Sequence, residues 1–166
     1  MQPPPRRKGP KMVRKARVSD VPEIHSLVNT YAAEQRMLPI SLSHLYERLR
    51  DFFGFVDDTD QLLGCGGLSI SWSDLAEVRS LAVKEDAKRR GIGRALVEAC
   101  LEEARTLGLR RVFCLTYEVE FFRRMGFREI GKDQLPHKVW SVCLNCPKFP
   151  NCDEIAMVTD LDDQGG

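Results

Sequence analysis

The feature that most constrains the fold is a strand, a short basic loop and a helix in direct succession, over residues 77–94. The strand is indicated by an apolar segment that ends in Leu81, Ala82 and Val83. The segment after the loop carries apolar residues at helical spacing, which predicts that one face of a helix lies in the core. These residues are Ile92, Leu96, Cys100, Leu101 and Ala104.

The loop has the chemistry of an anion-binding site. Backbone N–H groups at a helix N-terminus have no partner within the helix, and the helix dipole adds to their attraction for a phosphate. Gly91 and Gly93 lack a Cβ, so the backbone can approach a bulky pyrophosphate closely. Cationic side chains surround the same point. They are Lys88, Arg89, Arg90 and Arg94.

The spacing of the loop excludes two common phosphate-binding motifs. The sequence has no Gly-x-x-x-x-Gly-Lys-Ser/Thr, and Gly91 and Gly93 lack the third glycine of a dinucleotide fingerprint. The competing interpretation is a basic helix start with two incidental glycines.

Composition excludes several functional classes. The chain of 166 residues has a formal net charge of +1, which argues against a general nucleic-acid or membrane binder. No apolar run is long enough to span a bilayer, and the start of the chain has no apolar core of a secretory signal. Cys65, Cys100 and Cys114 lie in apolar patterns and are expected to be small buried residues of a reducing compartment. A cytoplasmic protein is therefore expected.

The domain organisation is predicted to be one α/β domain over residues 12–161. A basic tail precedes it at residues 1–11, a cysteine-containing loop occupies residues 135–153, and an acidic flexible end follows at 162–166. Besides the central strand, strands are predicted at 13–18, 53–56, 62–71, 112–115, 127–130 and 154–160, and a short helix at 118–125.

Two helices are predicted between the first two strands. Asp20 is expected to cap the first through an Asp-x-x-Glu box closed by Glu23, with a core face of Ile24, Leu27, Val28 and Tyr31. Ser41 or Ser43 is expected to start the second, with Leu42, Leu45, Leu49 and Phe52 facing inward. Gly64, Gly66 and Gly67 suggest a bulge or the close approach of a neighbour, and Gly108 a left-handed helix stop.

Two motifs in this order resemble the GNAT acetyltransferase superfamily. The first is Lys88-x-x-Gly91-x-Gly93 after Leu81-Ala82-Val83, and the second covers residues 121–127. The resemblance extends over nearly the whole chain and implies a central mixed twisted sheet flanked by helices, with acetyl-CoA as co-substrate. The residues that it assigns to coenzyme A are Leu81, Ala82, Val83, Lys88, Arg89, Arg90, Gly91, Ile92, Gly93, Arg94 and Phe122. The family usually has Gln or Arg where Lys88 stands.

The resemblance also implies where acetyl transfer occurs. A bulge in the central strand beside Leu81 and Val83 would splay it from its parallel neighbour and free backbone groups for the pantetheine. An amine must lose a proton before it attacks, and Glu77 on the same strand is the candidate base. An ion pair with Arg79 is the alternative role for Glu77. Both roles are compatible.

The acid that protonates the leaving thiolate is less clearly marked. Many family members have a tyrosine where this chain has Phe122. Tyr117 is a candidate substitute, while Cys114, a water or no acid at all are the alternatives. Tyr117 could equally pack against the helix with its hydroxyl at the rim.

Residues 73–83, 115–122 and 135–157 are similar to short bacterial N-acetylglutamate synthases of arginine biosynthesis. This narrower resemblance implies a small-molecule amino acid, L-glutamate, as acceptor. Independently of it, the cationic Arg79 and Lys138 are candidates to hold carboxylates, since arginine is a good bidentate partner. A homodimer is possible. The alternatives are an acetyltransferase acting on a protein N-terminus or lysine, and a non-catalytic regulatory domain that binds acyl-CoA or metal.

Three cysteines in the C-terminal part have a spacing that zinc ligands also show. Cys143-x-x-Cys146 is followed by Cys152, with His137, Asp153 or water as a fourth ligand. A second Cys-x-x-Cys pair is absent from the sequence, so a loop beside the substrate pocket is the preferred interpretation and a redox switch the third. Zinc is not favoured as a cofactor.

Overall fold

The computed structural model describes residues 12–136 and 153–161. These residues form a mixed seven-stranded sheet in the order β1-β2-β3-β4-β5-β7-β6. The strands are β1 (Val13–Lys15), β2 (Phe52–Val56), β3 (Leu62–Trp72), β4 (Leu75–Val83), β5 (Arg111–Thr116), β6 (Arg128–Ile130) and β7 (Ile155–Asp160). The helices are α1 (Val21–Ala33), α2 (Leu42–Glu47), α3 (Ile92–Thr106) and α4 (Val119–Arg124). The predicted sheet flanked by helices is thereby confirmed.

The first of two compact units comprises the described residues of Met1–Gly66 together with Leu81–Ala99. Its core lies along α1, whose predicted apolar face is fully confirmed: Ile24, Leu27, Val28 and Tyr31 are all buried. Leu45 of α2 and Leu62 of β3 complete this core. Apolar side chains at helical spacing therefore place α1 as the sequence predicts.

The predicted Asp20 capping box of α1 is wrong. Asp20 stands at the N-cap position of α1, as predicted, but its carboxylate makes no capping bond to that helix. It instead accepts hydrogen bonds from the Arg14 guanidinium, at 2.6 and 3.0 Å, and from the Arg17 N–H at 2.7 Å. A bidentate arginine is a stronger partner for a carboxylate than a neutral amide, so the ion pair with β1 takes precedence over the cap.

The bounds of β1 and α2 also differ from the prediction. β1 ends at Lys15, and Val18 lies in a 3-10 turn with 64% of its surface exposed. Ser41 caps α2 as predicted, since its hydroxyl accepts from the His44 N–H. Leu42, however, is exposed, and Phe52 is buried as the first residue of β2 rather than on the helix. A six-residue helix presents too few turns to bury both residues.

The second unit comprises Gly67–Ser80 and the described residues of Cys100–Gly166. β5 pairs in parallel with β4 and antiparallel with β7, and β6 pairs antiparallel with β7. An apolar cluster covers this part of the sheet. Its buried members are Leu75, Phe113, Leu135, Ala156 and Val158.

Two predictions about glycines are confirmed. A Cβ added at Gly64 would lie 3.0 Å from Ile92 Cγ2 and 3.1 Å from the Ala82 carbonyl oxygen, so β3 is approached closely by α3 and by β4 at this point. Gly108 follows α3 with φ +81°, the left-handed conformation of a helix stop. Both glycines fix where α3 runs and where it ends.

Candidate active site

Strand β4 pairs with β5 in its first part and has an irregular backbone conformation at Ser80. Its parallel ladder with β5 pairs Leu75, Ala76 and Glu77 with residues 111–113, and β4 then continues to Val83. Ser80 has φ 52°, a left-handed conformation that is unusual for a residue other than glycine and foreign to a regular strand. Such a residue is typical of a bulge, which agrees with the expected distortion beside Leu81.

Glu77 is the last residue of β4 in the parallel ladder with β5, where it pairs with Phe113. Its side chain is 19% exposed, and its Oε1 lies 3.6 Å from the Arg79 Nε. Burial raises the pKa of the Glu77 carboxyl to about 7; the positive charge of Arg79 lowers it in part, and the negative charge of Glu154 raises it further. The carboxyl therefore exchanges its proton near neutral pH, as a general base does.

Two acidic residues lie beside Tyr117 at the start of β7. Ile155 pairs with Thr116, so Asp153 and Glu154 just before β7 adjoin the residue after β5. The Tyr117 hydroxyl donates to Asp153 Oδ1 at 2.6 Å. Glu154 is buried and acts on the charge of Glu77. The structure thus places Glu77, Tyr117 and Glu154 in one unit, where Glu154 acts on the charge of Glu77.

Cys114, an alternative acid, lies on β5 and is buried. Burial raises the pKa of its thiol, and the negative charges of Glu77 and Glu154 raise it further. A thiol with a raised pKa gives up its proton less readily than a coenzyme thiol of ordinary pKa. A tyrosine, with an ordinary pKa of about 10, also gives up its proton less readily than a coenzyme thiol, so this comparison does not decide between Cys114 and Tyr117.

The basic loop before α3 presents unpaired backbone donors. Arg89 has φ 68° and Gly91 has φ 77°, so two left-handed residues alternate along the loop. The first intrahelical bond runs from the Ala95 N–H to the Gly91 carbonyl. In the described part of the chain, the N–H groups of residues 89–94 have no hydrogen-bond acceptor. Left-handed residues and orphan amides together form the concave nest that binds anions.

Three of the four cationic side chains of this loop, those of Lys88, Arg90 and Arg94, have protein partners. The Lys88 Nζ lies 3.0 Å from Glu85 Oε1, and the Arg94 Nε lies 3.0 Å from Glu98 Oε1. Arg90 donates to the Asp86 carbonyl at 3.3 Å. One contact leaves further donors on each of these side chains, so the loop can offer both backbone and side-chain donors.

The remaining predicted residues fall into two groups. Ala82 is buried in β4 between the half-buried Leu81 and Val83, while Phe122 is buried on α4 with its ring edge-on to Phe121 and Phe127. Lys138 and the cysteines of the possible zinc site, Cys143, Cys146 and Cys152, lie outside the described residues. Among the described residues, no His, Cys, Asp or Glu group of three or more could hold a metal ion.

Sequence reasoning missed the polar contacts of Tyr31 and Glu154. Tyr31 was predicted as a core residue, and its apolar spacing gave no sign that its hydroxyl donates to the Val83 carbonyl at 2.6 Å. Glu154 follows the cysteine-containing loop and has no recognisable motif around it. Only the pairing of β7 with β5 places it near Glu77.

Comparison with known proteins agrees with this geometry. The model of the Acetyltransferase (GNAT) family matches residues 19–127. An "Amino-acid acetyltransferase" of Mycobacterium tuberculosis is 47% identical over 121 residues, which are 72% of this chain and 69% of that protein.

In the part of the chain that the structure describes, no helix is long and apolar enough to cross a membrane.

Two solved structures carry the relevant ligands. Rv2747 from M. tuberculosis, in complex with CoA and NLQ, aligns with a TM-score of 0.81 and 38% identity over 90% of this chain and 99% of that chain. N-acetylglutamate synthase from Neisseria gonorrhoeae, complexed with coenzyme A and N-acetyl-glutamate, gives a TM-score of 0.84 and 25% identity over 94% of this chain. The alignment spans 36% of the Neisseria chain.

Proposed function

The chain belongs to the GNAT acetyltransferase family and is an acyltransferase, and we propose that it moves the acetyl group of acetyl-CoA to the α-amine of L-glutamate. The observation that carries this proposal is the Glu77 carboxyl, whose pKa burial raises to about 7. An α-amino group is mostly an ammonium ion at neutral pH and cannot attack a thioester. A carboxylate with this pKa can accept its proton without being permanently protonated.

The co-substrate is supported by the loop before α3. The orphan N–H groups of residues 89–94 and the left-handed Arg89 and Gly91 fit a diphosphate. Past the left-handed Ser80, Leu81 and Val83 would pair with the pantetheine as a strand does and polarise the thioester carbonyl. Ala82, Ile92, Gly93 and Phe122 complete the residues assigned to coenzyme A.

The chemical step follows from these roles. Glu77 takes a proton from the ammonium, and the free amine nitrogen attacks the thioester carbon. The carbon–sulfur bond then breaks as the new amide forms, and the nitrogen loses its second proton, which returns to the Tyr117 oxygen after that oxygen has protonated the leaving thiolate. The leaving coenzyme A thiolate takes a proton from Tyr117, directly or through water. In the free protein the Tyr117 hydroxyl donates this proton in a hydrogen bond to Asp153 Oδ1.

The acceptor is inferred from charge and from the relatives. Arg79 is half-buried beside Glu77, and a guanidinium is a good bidentate partner for a carboxylate. Lys138 is proposed as a second carboxylate ligand. The Neisseria synthase complexed with coenzyme A and N-acetyl-glutamate supports glutamate as the substrate. On this basis we propose a cytoplasmic enzyme of arginine biosynthesis whose catalytic domain comprises residues 12–161.

The first experiment measures coenzyme A release from acetyl-CoA with each of the twenty amino acids. Glutamate, or glutamate with glutamine, is expected to exceed all others in kcat/KM. Equal turnover of neutral and acidic amino acids would refute the acidic acceptor. Turnover of peptides alone would favour a protein acetyltransferase.

The second experiment tests the base. Glu77→Gln removes the proton acceptor at nearly constant volume, and kcat is expected to fall roughly a hundred- to ten-thousandfold. The wild-type kcat/KM should rise with pH to a plateau above a midpoint near 7, where Glu77 loses its proton. Glu102→Gln, at an exposed position of α3, is the matched control and should leave both quantities unchanged. An unchanged kcat in Glu77→Gln would remove Glu77 from the mechanism.

A further inference from the structure

Tyr31 is a buried tyrosine of the first unit, and its hydroxyl makes a hydrogen bond. Its ring lies in the core along α1 and is 5% exposed. Its hydroxyl donates to the carbonyl oxygen of Val83, the last residue of β4, at 2.6 Å, and lies 3.3 Å from Glu85 Oε1. A buried hydroxyl needs such a partner, because an unsatisfied one is costly.

Two cationic side chains lie over the ring of Tyr31. The Lys88 Nζ and the Arg36 guanidinium carbon each lie 4.9 Å from the ring centroid, within the range of a cation–π contact. Glu85 joins the two cations, since its Oε1 is 3.0 Å from the Lys88 Nζ and 3.6 Å from the Arg36 Nη1. Hydrogen bonds to Glu85 and Tyr31 outweigh burial and raise the pKa of Lys88 above its ordinary value.

One side chain therefore contacts two points of the segment that enters the basic loop, Val83 through its hydroxyl and Lys88 through its ring. Glu85 lies between them and is tied to Lys88 by an ion pair. The next residue is Arg89, whose φ of 68° is unfavourable for a residue with a Cβ. A strained residue persists only where its surroundings hold it in place. The contacts of Tyr31 supply that support on the side where the chain enters the loop.

We propose that Tyr31 is a positioning residue for the coenzyme: its hydroxyl and ring fix the segment from Val83 to Lys88, so that the amides of residues 89–94 are ordered before the diphosphate binds. The proposal rests on the proposed function, because it assumes that the loop binds coenzyme A. Preorganised donors bind more tightly because their ordering entropy is not lost on binding.

The test is Tyr31→Phe, which keeps the ring in the core and the cations over it but removes the hydroxyl. The dissociation constant for coenzyme A, measured by calorimetry, is expected to rise about tenfold, from the loss of one well-partnered hydrogen bond. The KM for acetyl-CoA should rise with it. The kcat, the KM for the amino acid and the midpoint of the pH profile should not change.

Tyr46→Phe is the matched control, because Tyr46 lies on α2 of the same unit and is exposed. It should leave coenzyme A affinity unchanged. A Tyr31→Phe protein that melts at lower temperature but binds coenzyme A within twofold of wild type would reduce Tyr31 to a structural role and overturn the proposal. Wild type that binds no coenzyme A would instead refute the proposed function.

Hydrogen exchange on the wild type gives a readout that does not depend on folding of the variant. The N–H groups of Lys84, Ala87 and Lys88 are hydrogen-bonded to backbone carbonyls and should be protected without ligand. The N–H groups of residues 89–94 should gain protection only when coenzyme A is added. Random-coil exchange at Lys84, Ala87 and Lys88 in the free protein would show that the segment is not held, and the proposal would be wrong.

Discussion

Glu77 shows how one carboxyl is tuned by residues from different strands. Burial on β4 raises its pKa, the neighbouring Arg79 opposes the rise, and Glu154 before β7 adds to it. The same two carboxylates also act on Cys114 of β5. Its thiol stays neutral, because its own pKa is raised. The charge state of Glu77 thus reports on two separate neighbours of opposite sign.

This opposition predicts two variants with opposite effects. Glu154→Gln removes a negative neighbour and should move the midpoint of the kcat/KM profile to lower pH, because the Glu77 carboxylate becomes easier to form. Arg79→Gln removes a positive neighbour and should move the midpoint to higher pH, in addition to raising the KM for glutamate. The measurement is the pH dependence of kcat/KM for each variant beside wild type. Shifts in the same direction would contradict this electrostatic account.

At the scale of the element, the loop and helix α3 are bounded by two glycines of similar conformation. Gly91 has φ +77° before the helix and Gly108 has φ +81° after it, and an added Cβ would meet nothing within 4 Å at either site. A residue with a Cβ is strained in this region by about 1–2 kcal/mol. Both positions therefore suffer conformational strain without steric clash when alanine is introduced.

Alanine variants of Gly91 and Gly108 distinguish an effect on stability from an effect on coenzyme A binding. Gly91→Ala and Gly108→Ala should each lower the free energy of unfolding by about 1–2 kcal/mol, measured with denaturant. Only Gly91→Ala is expected to weaken coenzyme A binding, by about tenfold or more, because it distorts the amide nest. Equal affinity in the two variants would remove the loop from the binding site.

The sequence predicted those elements in which local chemistry and tertiary contacts agree. The spacing of α1, the Ser41 cap and the stop at Gly108 were all foreseen, since each depends on residues close in the chain. The carboxylate of Asp20 was misassigned because Arg14, six residues away, competes for it. Capping rules consider only residues within a few positions of the helix start, so they do not include a partner on β1.

The candidate site was predictable only where a motif marks it. Gly91 and Glu77 were found because a loop pattern and a strand position single them out. Glu154 and the hydroxyl contact of Tyr31 were not found, because each joins segments far apart in the chain: Tyr31 meets Val83 across 52 positions. Such contacts arise from strand order and helix packing, which a single sequence does not display.

For the whole molecule, charge is nearly balanced, with 25 Lys and Arg against 24 Asp and Glu. Long-range repulsion is therefore small, and individual buried groups should dominate the pH dependence of stability. Glu77 is the prominent case, since its pKa rises from 4.5 to about 7 on folding. The folded protein then holds a proton that the unfolded chain has lost between these two values, so stability decreases as pH rises through this window.

Removing the carboxyl should therefore stabilise the folded protein above neutral pH. Glu77→Gln is expected to match wild type at pH 4, where the carboxyl is neutral in both states. At pH 8 it should be more stable by up to roughly 3 kcal/mol. Denaturant unfolding at the two pH values measures the difference. A variant that is destabilised more at pH 8 than at pH 4 would show that Glu77 is ionised and well paired in the folded protein.

The uncommitted amides of residues 89–94 also bear on how the enzyme responds to its medium. Backbone amides at a helix N-terminus bind oxyanions in general. If the turn binds the diphosphate as proposed, inorganic phosphate or sulfate at high concentration is expected to inhibit competitively towards acetyl-CoA. Rates measured in phosphate buffer will accordingly understate the catalytic efficiency that the same protein has in a buffer of bulky zwitterions.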